Sequence, residues 1–271
     1  MFSGDPAYLG EWKSAIMKVE ICIDSVESAI AAEHGGAKRI ELCSDLLEGG
    51  ITPGAGLIAS VRRMVAVDVF VMIRPRGGDF CYTNLEFEVM QEEINHARHL
   101  GADGVVLGLL DEQGRVDVDR TRQLVELARP LPVTFHRAID MTPDLSAALE
   151  DVIATGATRI LTSGGEPNVT RGIHQVAGMV AAADGRISIM PGGGITARNI
   201  ATIAEATGAT EFHSSVRTAF PSPMQFRKQG MAMGDIRDRE YRRFAAREDR
   251  VLALVSALER VAPERATARL S

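Results

Sequence analysis

Val19-Glu20-Ile21-Cys22-Ile23-Asp24 and, one short amphipathic segment later, Ile40-Glu41-Leu42-Cys43 decide how this chain folds. In an extended strand successive side chains point to opposite faces. One face therefore carries Val19, Ile21, Ile23, Ile40 and Leu42, and the other carries Glu20, Cys22, Asp24, Glu41 and Cys43. Where helices cover the outside of a parallel sheet, the apolar face turns to them. Three carboxylates and two thiols are then left pointing into whatever the sheet encloses. An unpaired buried carboxylate costs several kcal/mol, against a total stability of about 5–15 kcal/mol. Groups of that cost mark a site.

Outward from this stretch the same unit repeats: a short β-branched strand, a loop, and an amphipathic segment stopped by Gly or Gly-Ala. Strands are predicted at 18–24, 39–43, 69–74, 104–109, 132–136, 159–162, 187–190 and 211–213. Helices are predicted at 25–36, 55–66, 85–100, 118–128, 144–155, 168–183 and 196–207. Gly101, Gly156 and Gly208 stand where helix stops are expected. Eight βα units predict an α/β single-domain (β/α)8 TIM-type barrel over 18–217. The alternative is an open doubly wound sheet, and the missing Gly-x-Gly-x-x-Gly after the first strand disfavours its dinucleotide version. Residues 1–17 read as an N-terminal extension. Residues 218–271 read as a helical extension, with a charged amphipathic helix at 238–262 packed on the barrel or at a subunit interface.

Composition narrows the function. The chain has 271 residues, 45% of them hydrophobic, and no apolar run long enough to span a membrane. Its start lacks the pattern of a secretory leader, so a cytoplasmic location is expected. Three cysteines do not make a disulfide framework, which keeps thiol and metal chemistry open. A formal net charge of −6 argues against a nucleic-acid surface.

A barrel of this kind works at the C-terminal ends of its strands. Alternation places Phe70, Met72 and Arg74 inward from strand three, Thr134 and His136 from strand five, Met190 from strand seven, and Glu211 and His213 from strand eight. Strand six does not assign itself. The mouth is thus expected to hold Glu20, Asp24, Glu41 and Glu211 against Arg74, with Arg137 and Arg217 just beyond. Pro191-Gly192-Gly193-Gly194-Ile195-Thr196 leaves strand seven toward a helix, and Ser214 to Arg217 leave strand eight. Backbone N–H groups of Gly192, Gly193 and Gly194, with Ser214 and Arg217, form a candidate cradle for phosphate or another anion. Long loops at 45–54 and 75–82 offer Leu46, Phe80 and Tyr82 as lid residues.

Several longer motifs carry a family likeness. Val19 to Ala29, Gly35-Gly36-Ala37-Lys38-Arg39-Ile40-Glu41-Leu42-Cys43 and Leu47-Glu48-Gly49-Gly50-Ile51-Thr52-Pro53 come first. Met72-Ile73-Arg74-Pro75-Arg76-Gly77-Gly78-Asp79-Phe80, Thr134-Phe135-His136-Arg137-Ala138, Leu161-Thr162-Ser163-Gly164-Gly165 and Pro191-Gly192-Gly193-Gly194 follow in order. The chain resembles the CutC copper-homeostasis family over about residues 18–217. The resemblance implies a (β/α)8 barrel, a cytoplasmic protein, a role in copper handling, homo-oligomers such as a dimer, and a Cu(I) site at the positions of Cys22 and Cys43. Thiolates are soft donors that suit Cu(I), and Met72 offers a third. Buried cysteines also occur for packing alone, and Cys81 reads as incidental.

Two functions from different classes follow. One is a copper-homeostasis protein with Cys22 and Cys43 as ligands. The other is a barrel enzyme acting on a small phosphorylated or carboxylated compound. In it Arg74 and Arg217 hold the anion, while Glu20, Asp24, Glu41 or His136 exchange protons. A hard-metal hydrolase using Glu20, Asp24, Glu41, His136 and His213 ranks third. Schiff-base chemistry is disfavoured, since none of the four lysines stands at a strand's C-terminal end.

Overall fold

In a computed structural model, which describes residues 17–231, 233 and 240–261, the repeated unit closes on itself. Eight parallel strands are present: β1 Lys18–Ile23, β2 Arg39–Leu42, β3 Asp68–Met72, β4 Gly104–Leu107, β5 Val133–Phe135, β6 Arg159–Thr162, β7 Ser188–Pro191 and β8 Glu211–Ser214. They lie in the order β7-β6-β5-β4-β3-β2-β1-β8. β7 and β8 meet across the remaining seam without a ladder. A Cβ on Gly192 would come within 3.2 Å of His213 Cβ there. The result is a near-closed (β/α)8 barrel.

The helices are α1 Val26–His34, α2 Ala55–Met64, α3 Asn84–His99, α4 Val118–Ala128, α5 Leu145–Thr155, α6 Ile173–Ala183, α7 Ile200–Thr207 and α8 Glu248–Glu259. Their starts follow from local chemistry. Ser25, Thr83, Asp117 and Asp144 accept backbone N–H groups of the first turns, and Thr83 with Glu86 forms a reciprocal capping box. Gly156 and Gly208 end α5 and α7 in the left-handed conformation, at φ 85° and 73°.

The alternation holds throughout the sheet. Val19, Ile21, Ile23, Ile40, Leu42, Val69, Val71 and Ile73 belong to the large apolar layer between strands and helices. A separate small cluster inside the ring joins Cys22, Cys43, Phe70, Met72 and Val106, with Leu46 packed on it. Each fully buried aliphatic side chain of the outer layer contributes roughly 1.5–3 kcal/mol, which is what holds the inner polar groups in place.

The C-terminal region departs from expectation. β9 Arg217–Pro221 pairs antiparallel with β10 Arg242–Ala246, in the register Phe244↔Ala219. Residues 242–246 are therefore strand where a helix from Asp238 is expected, and the helix begins at Glu248; residues 238–239 lie outside those described. Pairing with β9, remote in sequence, overrides the local helical pattern. α8 sits against α1 and α7, where the eighth helix of the ring belongs, so the barrel is completed beyond residue 217. Val251 of α8 packs directly on Gly35, where a Cβ would meet it at 2.4 Å. The expected extension 1–17 lies outside the described residues except for Met17. Among the described residues no helix is long and apolar enough to cross a membrane.

Candidate functional site

Register stacks the inward residues in tiers. Glu20 stands level with Arg39 and His213, Cys22 with Glu41, and Thr134 with Arg159. Arg39, 2% exposed, and Arg159 fill the lower barrel and clasp the ring of Phe70, with guanidinium carbons 5.0 and 5.4 Å from its centroid. Arg39 donates to Glu20, and at 2.5 Å to Glu211; Arg159 Nε donates to Glu211 Oε2 at 2.7 Å. Strand six is thereby assigned, with Arg159 and Leu161 inward. Burial alone would push the Glu20 carboxyl up, but the Arg39 guanidinium and His213 hold it at about 2.

Above this floor lies the reactive tier. His213 Nδ1 is 2.7 Å from Glu20 Oε1, and its Nε2 is 3.7 Å from Glu41 Oε2. Burial opposes charge on His213, but Glu41 and Glu20 raise its pKa well above the ordinary histidine range. Burial pushes the Glu41 carboxyl up, against the pull of His213. Cys43 Sγ donates to Glu41 Oε2 at 3.6 Å and lies 3.8 Å from Cys22 Sγ. The Cys22 thiol is raised by its contact with Cys43 and by burial. Cys43 is lowered by that contact but pushed up by burial and Glu41, to about 11. Both sulfurs thus stand as thiols beside a carboxyl, and Cys22, Glu41 and Cys43 bring three donor atoms within metal-ligand reach of one another.

A pocket of about 340 Å³ opens over this cluster at the C-terminal ends of the strands. Cys22, Glu41, Glu48, Arg74 and His136 line it, together with Met72, Phe80, Leu161 and His213. β3 and β5 stop just short of Arg74 and His136, so both residues stand on the first steps of the loops. His136 is buried, its Nδ1 accepting the Ala138 N–H at 3.2 Å; burial and the nearby Arg74 charge lower its pKa to about 3.

Other expected residues have different neighbours. Arg74 faces no carboxylate among the described residues. Its Nη1 donates to the carbonyls of Glu48 and Gly50, its Nη2 donates to that of Gly78, and it lies over the Phe80 ring, so it ties the two long loops together. Asp24 pairs with Arg217 at 3.2 Å, away from the pocket. Glu211 belongs to the floor, not the mouth. Tyr82 is buried in the outer apolar layer, whereas Phe80 lines the pocket. Gly192, Gly193 and Gly194 turn toward a helix that starts only at Ile200, because Thr196 gives its N–H to Asn199 Oδ1 at 2.7 Å. Ser214 donates to the carbonyl of Ile195 at 2.8 Å, bracing that turn. None of these five anion candidates, Arg217 included, lines the pocket.

Sequence reasoning missed Arg39, although the alternation Arg39-Ile40-Glu41 contains the signal. It also missed Asp140. That carboxylate accepts from Arg137 Nε, Thr162 Oγ1, Ser163 N and Oγ, and Gly165 N. The Gly164-Gly165 rim therefore holds an anion supplied by the chain itself. Only the fold brings Asp140 there.

The fold and this cluster define a barrel protein whose mouth is built from paired thiols, a carboxyl and an enclosed ion-pair floor. The CutC family model matches residues 17–218, and the chain belongs to the CutC family. It is 53% identical over 216 residues to a mouse protein described as copper homeostasis protein cutC homolog, covering 80% of this chain and 79% of that one. A family protein CutC from Chromobacterium violaceum is 47% identical over 242 residues, with 89% and 98% covered. The crystal structure of CutC from Streptococcus agalactiae superposes with a TM-score of 0.70 at 35% identity, covering 73% of this chain and 97% of that one. Thiamine phosphate pyrophosphorylase of Pyrococcus furiosus, at 17% identity and a TM-score of 0.56, shares the fold alone.

Proposed function

We propose that this copper-homeostasis homologue binds Cu(I) through Cys22 and Cys43, with Glu41 as the adjacent oxygen donor. The observation that carries this reading is the 3.8 Å separation of two buried sulfurs on neighbouring strands. Metal–sulfur bonds run to about 2.3 Å for a comparable ion, so a single ion reaches both. Soft thiolates select Cu(I) over the hard cations that carboxylates prefer, and Met72 lies in the same inner cluster. His213, held cationic between Glu20 and Glu41, balances negative charge that thiolates would add. Cu(I) with free thiols belongs to a reducing compartment, which supports a cytoplasmic location. The arm after β9 exposes Met224, Phe226, Met231 and Met233, a surface suited to a second copy of the chain and thus to a homodimer.

Copper K-edge absorption on protein loaded with one equivalent of Cu(I) tests the ligand set. A sulfur-dominated shell is expected. A shell of nitrogen and oxygen alone contradicts the assignment. Light scattering tests the dimer, which is expected to dissociate in a Phe226→Asp variant.

A further inference from the structure

The two thiols are unequal in access. Cys22 lines the pocket, whereas Cys43 does not and is 0% exposed. The loop after β2 covers it. A Cβ on Gly50 would stand 3.0 Å from Cys43 Sγ and 3.3 Å from Cys43 Cβ, and Gly50 holds φ at 93°, so glycine is required there on both counts. Leu46, from the same loop, packs on the inner cluster that contains both cysteines.

One side chain holds that cover down. Ser44 and Ile51 close the stem of the loop with backbone bonds of 2.9 and 2.8 Å, and its tip, Leu47 to Gly49, is exposed. Among the described residues, the hydrogen bonds that reach residues 45–50 from outside the loop come from Arg74. Its Nη1 donates to the Glu48 carbonyl at 2.6 Å and to the Gly50 carbonyl at 2.8 Å. Its Nη2 donates at 2.8 Å to the carbonyl of Gly78 in the facing loop. Arg74 is itself fixed. Its N–H donates to Thr52 Oγ1 at 2.8 Å, its carbonyl accepts the Thr52 N–H at 2.9 Å, and the Tyr82 hydroxyl and Phe80 ring lie against its guanidinium. Hydrogen bonds from a charged donor are among the stronger ones, so Arg74 governs how readily the loop lifts from Cys43.

We propose that Arg74 makes this a site with one open sulfur. An outside thiol or thioether donor meets the site at Cys22, and Cys43 stays shielded until the loop held by Arg74 lifts. Arg74 is thus a positioning residue: it acts on Cys43 through the Gly50 carbonyl and touches neither sulfur. For copper, the consequence is exchange through Cys22 and slow loss to competing donors. That consequence rests on the copper reading above, whereas the shield over Cys43 does not.

Initial rates of iodoacetamide alkylation, resolved by residue with mass spectrometry on the metal-free protein, test the shield. In the wild type Cys22 is expected to react first. In Arg74→Met, which keeps the stem and loses the donors, the Cys43 rate is expected to rise about 10-fold, the factor for one hydrogen bond to a charged group. Cys22 is expected not to gain. Loss of the Arg74 charge by itself would raise both thiol pKa values and slow both reactions, and general destabilisation would expose both alike. Leu46→Ala removes the other half of the cover and is expected to give the same one-sided gain, so a poorly folded Arg74 variant does not spare the proposal. Cys43 reacting as fast as Cys22 in the wild type, or equal gains at both sulfurs in the variants, would overturn it. Loss of Cu(I) from the loaded protein to excess chelator is expected to be about 10-fold faster in Arg74→Met, and an unchanged rate overturns the slow-loss consequence. Should the wild type take up no copper, the metal reading falls and the alkylation pattern alone decides the shield.

Discussion

His213 Nδ1 lies 2.7 Å from Glu20 Oε1, with Glu20 wholly enclosed and also held by Arg39. This contact joins the reactive tier to the ion-pair floor, so the mouth's geometry depends on a carboxylate no ligand can touch. Glu20→Gln leaves Arg39 and His213 short of a charge inside the barrel. It should destabilise the fold by about 3–5 kcal/mol. Urea unfolding checks this, and a loss below about 1 kcal/mol, the size of a surface pair, would show that the floor is not held by charge.

The same pair sets an acid-side pH dependence. Glu20 has its pKa lowered from 4.5 to about 2, so its stabilisation is present above pH 4.5 and is lost as pH falls through 2. The gap in unfolding free energy between wild type and Glu20→Gln should therefore narrow steadily from pH 4.5 to pH 2. A gap that is constant across this window contradicts the assignment.

His136 should remain neutral in the folded protein at pH 5. Its pKa falls from 6.5 to about 3 by burial and the Arg74 charge, so unfolding takes up a proton. Its contribution is complete above pH 6.5 and drains away as pH drops toward 3. A ¹⁵N titration of the imidazole checks this, and a midpoint near 6.5 would place the ring in water.

Much of this arrangement was legible beforehand, because a period of two needs only local information. Alternation alone turns Glu20, Cys22, Glu41 and Cys43 inward, and Gly101, Gly156 and Gly208 mark helix ends. Partners were not legible. Alternation sets Arg74 against carboxylates, whereas it holds loop carbonyls, since loop closure decides what lies within its reach. Asp140 met the Gly164-Gly165 rim only through a turn after β5. Tyr241 to Ala246 carried a pattern that suits helix or strand, and the choice fell to β9.

Gly35→Ala tests whether α8 is a working part of the ring. The added methyl would meet Val251 at 2.4 Å and the Glu248 carbonyl at 2.9 Å. Overpacking at such a seam costs ~1–3 kcal/mol. Thermal unfolding should shift down, with earlier proteolysis near α8. An unchanged melting temperature would mean that α8 is only loosely attached.

The central claim is the thiol pair. Anaerobic titration of Cu(I) against a competing chelator, on the wild type beside Cys22→Ser/Cys43→Ser, tests it most directly. One tightly held copper per chain in the wild type, lost in the double variant, is the predicted result. Equal and weak uptake by both proteins would contradict it.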